Sequence, residues 1–241
     1  MRKIFPLVLF FAVCGAVLAN EATPAPVKPE LSLGTWQYGV YLGKNRVGIA
    51  YVTLAFEGGL YVSKLEMTLR MGDPIVTTKE VTKETITFNP VSFSSSNVVV
   101  LKDNVSRDLV TAEFVKNVVK LKHGKEEKTV SLNGDFVVSG NALTSALIRN
   151  KFAKGFEAKS MVYDPTIDED TTVPVSEKVI GKETVDLPSG KMELIHTVQA
   201  IGPVRSINNW VDQQGTSYKT SIEMLNSTID LYLEQKSGDK K

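Results

Sequence analysis

The stretch Asn141-Ala-Leu-Thr-Ser-Ala-Leu-Ile-Arg-Asn-Lys-Phe-Ala-Lys-Gly155 is where apolar residues recur at helical spacing, in a chain that otherwise reads as strands. Leu143, Ala146 and Leu147 share one face, while Ile148 and Phe152 are four apart on the other side, so the apolar surface exceeds a single stripe. Such a helix must be covered on more than one flank. Asn141 fits an N-cap and Gly155 a left-handed C-cap, which predicts about four turns. Strand patterns precede and follow it. The expectation is a mainly β domain in which a single large curved antiparallel sheet, an unclosed β-barrel, wraps around one central α-helix. The alternative is a division into two domains at about residue 140.

At the N-terminus, Arg2 and Lys3 precede the uncharged run Phe5 to Ala19, and Val17-Leu18-Ala19 fits the small-x-small rule for signal-peptide cleavage. Residues 1–19 are therefore expected to be a signal peptide, with cleavage after Ala19 and a periplasmic destination. The apolar run falls short of the roughly 20 residues that an anchor needs, and no other stretch competes, so no transmembrane segment is expected in the mature chain. Cys14 allows the alternative of a lipoprotein signal, which Val13 before it disfavours. Cys14 is the only cysteine, so the mature chain has neither a disulfide nor a thiol nucleophile. It keeps 26 basic and 27 acidic residues, a balance with no global field for nucleic acid.

Residues 20–33 carry Pro24, Pro26 and Pro29 and read as a flexible linker, with a β-rich domain over 34–235 and a polar tail over 236–241. The β region opens with Thr35 to Leu42 and Val47 to Phe56 around the Gly43-Lys44-Asn45 turn. Next comes the clearest alternation, Leu65, Met67, Leu69 and Met71 against Lys64, Glu66, Thr68 and Arg70. A Thr-rich stretch over 75–88 ends at Asn89-Pro90. Strands over 91–101, 109–115, 118–121 and 128–132 follow, separated by Asp103-Asn104, a Lys-Asn step and His123-Gly124. Beyond the helix the pattern resumes over 156–163, 173–180, 192–201, 204–211, 217–225 and 229–233. Turns every eight to twelve residues indicate a meander in which neighbours pair.

The stretch Asn209 to Lys219 contains Trp210-Val-Asp212-Gln-Gln-Gly215-Thr-Ser-Tyr-Lys219, and it resembles the W-x-D-x-x-G-x-x-x-K hairpin found late in several bacterial envelope β-proteins. Gly34-Thr35-Trp36, the Gly43-x-x-x-Val47-Gly48 hairpin and the position of the helix extend the likeness over most of residues 34–235. The layout is similar to unclosed β-barrels of the LolA, LolB and LppX type and to related envelope families. That resemblance implies a concave apolar cavity accepting lipid or acyl chains, with the helix as lid or plug. The methionines Met67, Met71, Met161, Met192 and Met224 sit within strand patterns and suit a cavity of variable content or a plain core. The expected cavity lining is Met67, Met71, Leu143, Leu147, Phe152, Met192, Leu194, His196 and Trp210.

Of the two histidines, His196 shares a face with Met192, Leu194 and Val198 at period two and is expected to be buried or in a pocket, while His123 lies beside a turn. No His-x-x-x-His or His/Cys cluster supports zinc. Asp164-Pro-Thr-Ile-Asp-Glu-Asp170 concentrates four carboxylates, which reads as solvated loop charge or a calcium loop lacking the EF-hand order. Gly-x-Ser-x-Gly, Gly-x-Gly-x-x-Gly and the P-loop are absent. The expected function is non-enzymatic and without cofactor or metal: an apolar or lipid-like ligand, or an envelope component, bound in the concavity. The alternatives are a structural or interaction protein with a filled core that recruits partners at its sheet edges, and a hydrolase using carboxylates or His196.

Overall fold

Leu65, Met67 and Leu69 are buried and Lys64, Glu66 and Arg70 exposed along β3 (Leu60–Arg70), the pairing of faces that its alternation dictates. The computed structural model describes residues 30–202, 205–224 and 227–238. The signal peptide, its cleavage site and most of the linker lie outside them. Strands before the helix are β1 (Gly34–Leu42), β2 (Asn45–Glu57), β3, β4 (Ile75–Thr85), β5 (Pro90–Leu101), β6 (Asn104–Val115), β7 (Val118–His123) and β8 (Glu126–Ser131). After α1 (Asn141–Arg149) come β9 (Glu157–Val162), β10 (Val173–Leu187), β11 (Gly190–Ile201), β12 (Arg205–Val211), β13 (Ser217–Met224) and β14 (Ser227–Gly238).

All fourteen described strands form one antiparallel sheet, ordered β8-β7-β6-β5-β4-β3-β2-β1-β14-β13-β12-β11-β10-β9. Every hairpin pairs with its chain neighbour, as a meander requires. The one long-range pairing joins β1 to β14, from Gly34 opposite Gly238 to Leu42 opposite Ile229. It recruits residues 236–238, expected in a polar tail, into the last strand. Glu30 and Leu31, expected in the linker, are also buried, because Tyr61 Oη bonds the Glu30 amide at 2.7 Å and Leu31 joins the main core.

The sheet must bend strongly. β3 and β9 are eight positions apart in the strand order, which in a flat sheet would separate them by about 38 Å, whereas a nine-residue helix is only about 14 Å long. Yet α1 packs against β9 and β10 while Asn141 at its start donates to Ser63 on β3 (3.0 Å) and Glu84 on β4 (2.9 Å). Leu143, Leu147 and Phe152 enter a single apolar cluster with Trp36, Tyr38, Met67, Val179 and Ile195, drawn from both halves of the chain. A second cluster, Phe93, Phe114, Leu121, Phe136 and Tyr163 among others, fills the end formed by β5–β8. Between the two, the inward face of β4 is polar at Thr78, Thr82 and Glu84.

The helix is shorter than its periodicity predicts. Gly140, not Asn141, is the N-cap, and Asn141 lies inside with its side chain committed to Ser63 and Glu84. The amide of Asn141 is instead satisfied by Ser139 Oγ at 3.1 Å. At the other end the Lys151 amide bonds the Ile148 carbonyl (2.7 Å) and the Phe152 amide the Leu147 carbonyl (2.8 Å), the paired 5→2 and 6→1 bonds of a Schellman end. Lys151 and Phe152 adopt φ of 52° and 50°, so a lysine takes the left-handed position expected of Gly155. That turn throws Phe152 back onto the core beside Leu147.

Two outcomes are expected. Lys151→Gly relieves a left-handed non-glycine residue and raises stability by about 0.5–1 kcal/mol in urea titrations. Glu30→Ala removes the acceptor of buried Ser145 (2.9 Å) and of the Arg149 guanidinium (2.6 Å), and lowers stability in the same titration by about 2 kcal/mol.

Candidate functional site

The nine residues expected to line one cavity are spread over both faces of the sheet. Met67, Leu143, Leu147 and Phe152 are packed into the main core. Met71 lies past the end of β3 and is 44% exposed, and Met192 is 37% exposed. On β11 the inward residues are Ile195, Thr197, Gln199 and Ile201, so His196 and Leu194 belong to the outer face, with Leu194 itself buried. His196 does share its face with Met192, Leu194 and Val198, and that face is the outer one. Apolar Met192, Leu194 and Val198 lie outward while polar Thr197 and Gln199 lie inward, where Thr197 donates to buried Glu177 at 2.7 Å.

The outward residues form a cross-strand ladder. His196, Trp210, Lys219 and Tyr232 are successive register partners on β11, β12, β13 and β14. The His196 and Trp210 rings stack at 4.9 Å and 11°, and Lys219 Nζ sits 4.6 Å from the indole centroid and 5.5 Å from the Tyr232 ring. Tyr232 meets Tyr41 of β1 edge-on at 5.5 Å. The indole N–H donates to Glu183, and His196 Nε2 to Asn208 at 2.9 Å. The turn behind the ladder is held by Asp212, whose Oδ1 accepts the Gln214 and Thr216 amides at 2.9 Å each, with Gly215 at φ 72°. The Trp-x-Asp-x-x-Gly-x-x-x-Lys pattern is therefore a structural rivet. With a neighbouring strand's side chain on either side, the indole is committed inside the ladder.

A second cluster lies where the ends of the sheet approach each other. Segment 163–172, between β9 and β10, lies against β6, β7 and β8. His123 at the end of β7 is held between Asp108 on β6 and Glu169 of the segment, at 2.6 Å on each ring nitrogen. Lys128 on β8 reaches Glu169 and Asp170 at 2.8 Å each. Tyr163 packs edge-on against Phe114 and Phe136 at 5.9 Å, and its hydroxyl donates to the Glu169 carbonyl at 2.9 Å. The hydrogen bond to Glu169, aided by Asp108, raises the His123 pKa, while Lys128 and His123 lower that of Glu169. Burial and the nearby charge of Asp164 push the Glu80 carboxyl of β4 well above the carboxylate range. The acidic loop thus serves as an ion-paired clasp. Asp164 Oδ1 accepts from Thr166 (2.7 and 2.8 Å), and Asp168 Oδ1 accepts the amides of Asp170 and Thr171. Among the described residues no three His, Cys, Asp or Glu side chains are grouped to hold a metal.

The outer face of β4–β8 is hollowed into an open cleft of about 760 Å³. Its wall carries the hydroxyls of Ser92, Ser94, Thr111 and Thr129, the cations Lys83, Lys120 and Lys122, and the carboxylates Glu113 and Glu127. Lys122 pairs with Glu127 at 2.6 Å. The small hydroxyls across β5 and β6 leave the floor low while the lysines of β4 and β7 rise at its sides. Alternation marked these residues only as the wet face of each strand; the strand register sets them in two rows, Lys83-Ser92-Glu113-Lys120-Thr129 and Val81-Ser94-Thr111-Lys122-Glu127.

No helix among the described residues is long and apolar enough to cross a membrane. No family model matches the sequence, and no curated protein matches it. The fold is similar to the crystal structure of a β-barrel-like protein of domain of unknown function DUF1849 from Brucella abortus, with a TM-score of 0.65 over 87% of this chain and 99% of that one. At 14% identity the likeness is one of fold.

Proposed function

We propose that the chain is an exported, non-catalytic interaction protein of the cell envelope, which recognises an acidic protein segment in the polar cleft of β4–β8. The observation that carries this reading is the contrast between the two faces of the sheet. The concave side is occupied by the protein's own helix and by Trp36, Tyr38, Tyr61 and Met67, all essentially inaccessible. The outer side offers an open, hydroxylated trough with three outward lysines, Lys83, Lys120 and Lys122, against Glu113 and Glu127, on a chain whose overall charge is balanced. A local excess of one sign on a balanced surface steers a complementary partner without drawing in polyanions at large. Export is supported by the signal-like run Phe5 to Ala19 after Arg2 and Lys3. The fold likeness is compatible with the reading and does not select among partners.

The paired variant Lys83→Glu, Lys120→Glu reverses two exposed cleft charges and should leave the fold intact. Crosslinking and pull-down from envelope fractions is expected to recover a species whose binding weakens at least about tenfold in the variant and on raising salt. Capture indifferent to both changes sinks the cleft reading. Native mass spectrometry of detergent-free protein tests the filled interior: a co-purifying acyl species would restore carriage of an apolar ligand within the concavity.

A further inference from the structure

We propose that segment 163–172 is a titratable latch that holds the two ends of the sheet together, so that the shell is shut in mild acid and parts between β8 and β9 as the pH rises. The strand order leaves β8 and β9 as opposite edges with no ladder between them. The described backbone links across this seam are the bridge between Val137 and Val162 and its two hydrogen bonds, Val137 N–H to Met161 and Tyr163 N–H to Val137, both 2.9 Å. The rest of the closure is made by the helix, by Tyr163 between Phe114 and Phe136, and by the ion pairs of segment 163–172, and only the last of these changes charge near neutral pH.

The charges are arranged so that closure depends on protonation. His123 is held by Asp108 from β6 and by Glu169 from the segment, and its register partner on β8, Glu126, is a third acidic residue. Both of its ring nitrogens lie at hydrogen-bonding distance from carboxylate oxygens, which only the doubly protonated ring can satisfy as a donor. Loss of that proton leaves one nitrogen lone pair against a carboxylate at 2.6 Å. On the inner side of the same segment Asp164 confronts Glu80, whose register partners Leu65 and Ser95 carry no charge to compensate. Two carboxylates placed together in a poorly solvated seam favour a shared proton, and removing it makes them repel. Lys128, between Glu169 and Asp170, is the cation that remains once His123 is neutral.

The signs agree. His123 and Glu80 both have pKa values raised in the closed form, so each favours closure most below its ordinary value and ceases to do so as pH rises through the raised one. Glu169, whose pKa is lowered, contributes above the ordinary carboxylate range and is lost as pH falls through its lowered value. Closure is therefore strongest between the acidic limit set by Glu169 and the neutral limit set by His123. Opening would uncover the rings of Phe114, Phe136 and Tyr163 and the free edges of β8 and β9, and it does not depend on what the cleft of β4–β8 binds.

Cys14 is the only cysteine, so Cys14→Ser in the full chain permits spin labels at Lys125→Cys, in the β7–β8 turn, and Ile167→Cys, exposed on the segment. Pulsed electron resonance should give one short, narrow distance at about pH 6 and a longer, broader population above about pH 8, the open fraction rising up to about tenfold per pH unit for each proton released. His123→Gln should open the seam at both pH values, and Glu80→Gln should move the transition to higher pH. Amide exchange of segments 118–131 and 163–172 in the unsubstituted chain, corrected for intrinsic rates, reads the same opening should either variant fail to fold. A distance and an exchange protection that stay constant from about pH 6 to 9 overturn the latch, as does an unchanged transition in both variants.

Discussion

A sheet that grows by pairing each strand with its neighbour in the chain has two open edges however long it becomes, and here that constraint falls on a ribbon fourteen strands wide. The β1–β14 pairing sets the middle of the ribbon and leaves β8 and β9 at its ends. What bends the ribbon is the short helix at its centre, which is bonded at its start to β3 and β4 and packed along its length on β9 and β10. The knot at the helix start is polar. Glu84 accepts from Ser139 Oγ (2.6 Å) and Asn141 Nδ2 while wholly buried, and that burial raises its pKa despite both bonds. Burial favours the neutral carboxyl over a bare charge, and the bonds it receives fix where the helix begins relative to β4.

The strands were legible because their turns were. Gly43-Lys44-Asn45, Glu57-Gly58-Gly59 and Pro188-Ser189-Gly190 punctuate the meander where hairpins occur, with Gly43, Gly58, Gly59 and Gly190 at positive φ. The helix was legible in kind but not in length. Its periodicity runs on through Phe152, yet Lys151 turns left-handed first, and nothing local distinguishes a lysine that will adopt φ 52° from one that continues a helix. The tertiary reward, Phe152 returned to the core, decides it.

Faces were harder to read than elements. On β11 the alternation is present but its polarity is reversed, because Thr197 and Gln199 are buried inward among Glu177 and Asn209 while Leu194 is buried on the outside. Period two fixes which residues share a face but not which face meets the core. The inward network is polar, so hydrophobicity chose wrongly for His196. The clasp was invisible for another reason: His123, Asp108, Lys128 and Glu169 lie on four different elements, and only the curling of the sheet brings them together.

Two kinds of fastening divide the shell. Strands β11 to β14 and β1 are joined on the outside by contiguous ring and cation contacts from His196 to Tyr41, each made between strands already paired by backbone ladders. The outer face of β4–β8 carries serines and threonines in the corresponding place, and these fill too little volume to brace one strand on the next. That half is held from within, by the aromatic cluster around Tyr163 and by ion pairs to segment 163–172. Compliance should therefore concentrate in β6–β8, where the backbone ladder ends and the outer brace is missing. The cleft lies on that same half, while Lys128, the register partner of buried Leu121, turns to the opposite side and belongs to the clasp. Its ammonium is held on the inward side by Glu169 and Asp170, so occupation of the cleft and closure of the seam draw on different charges.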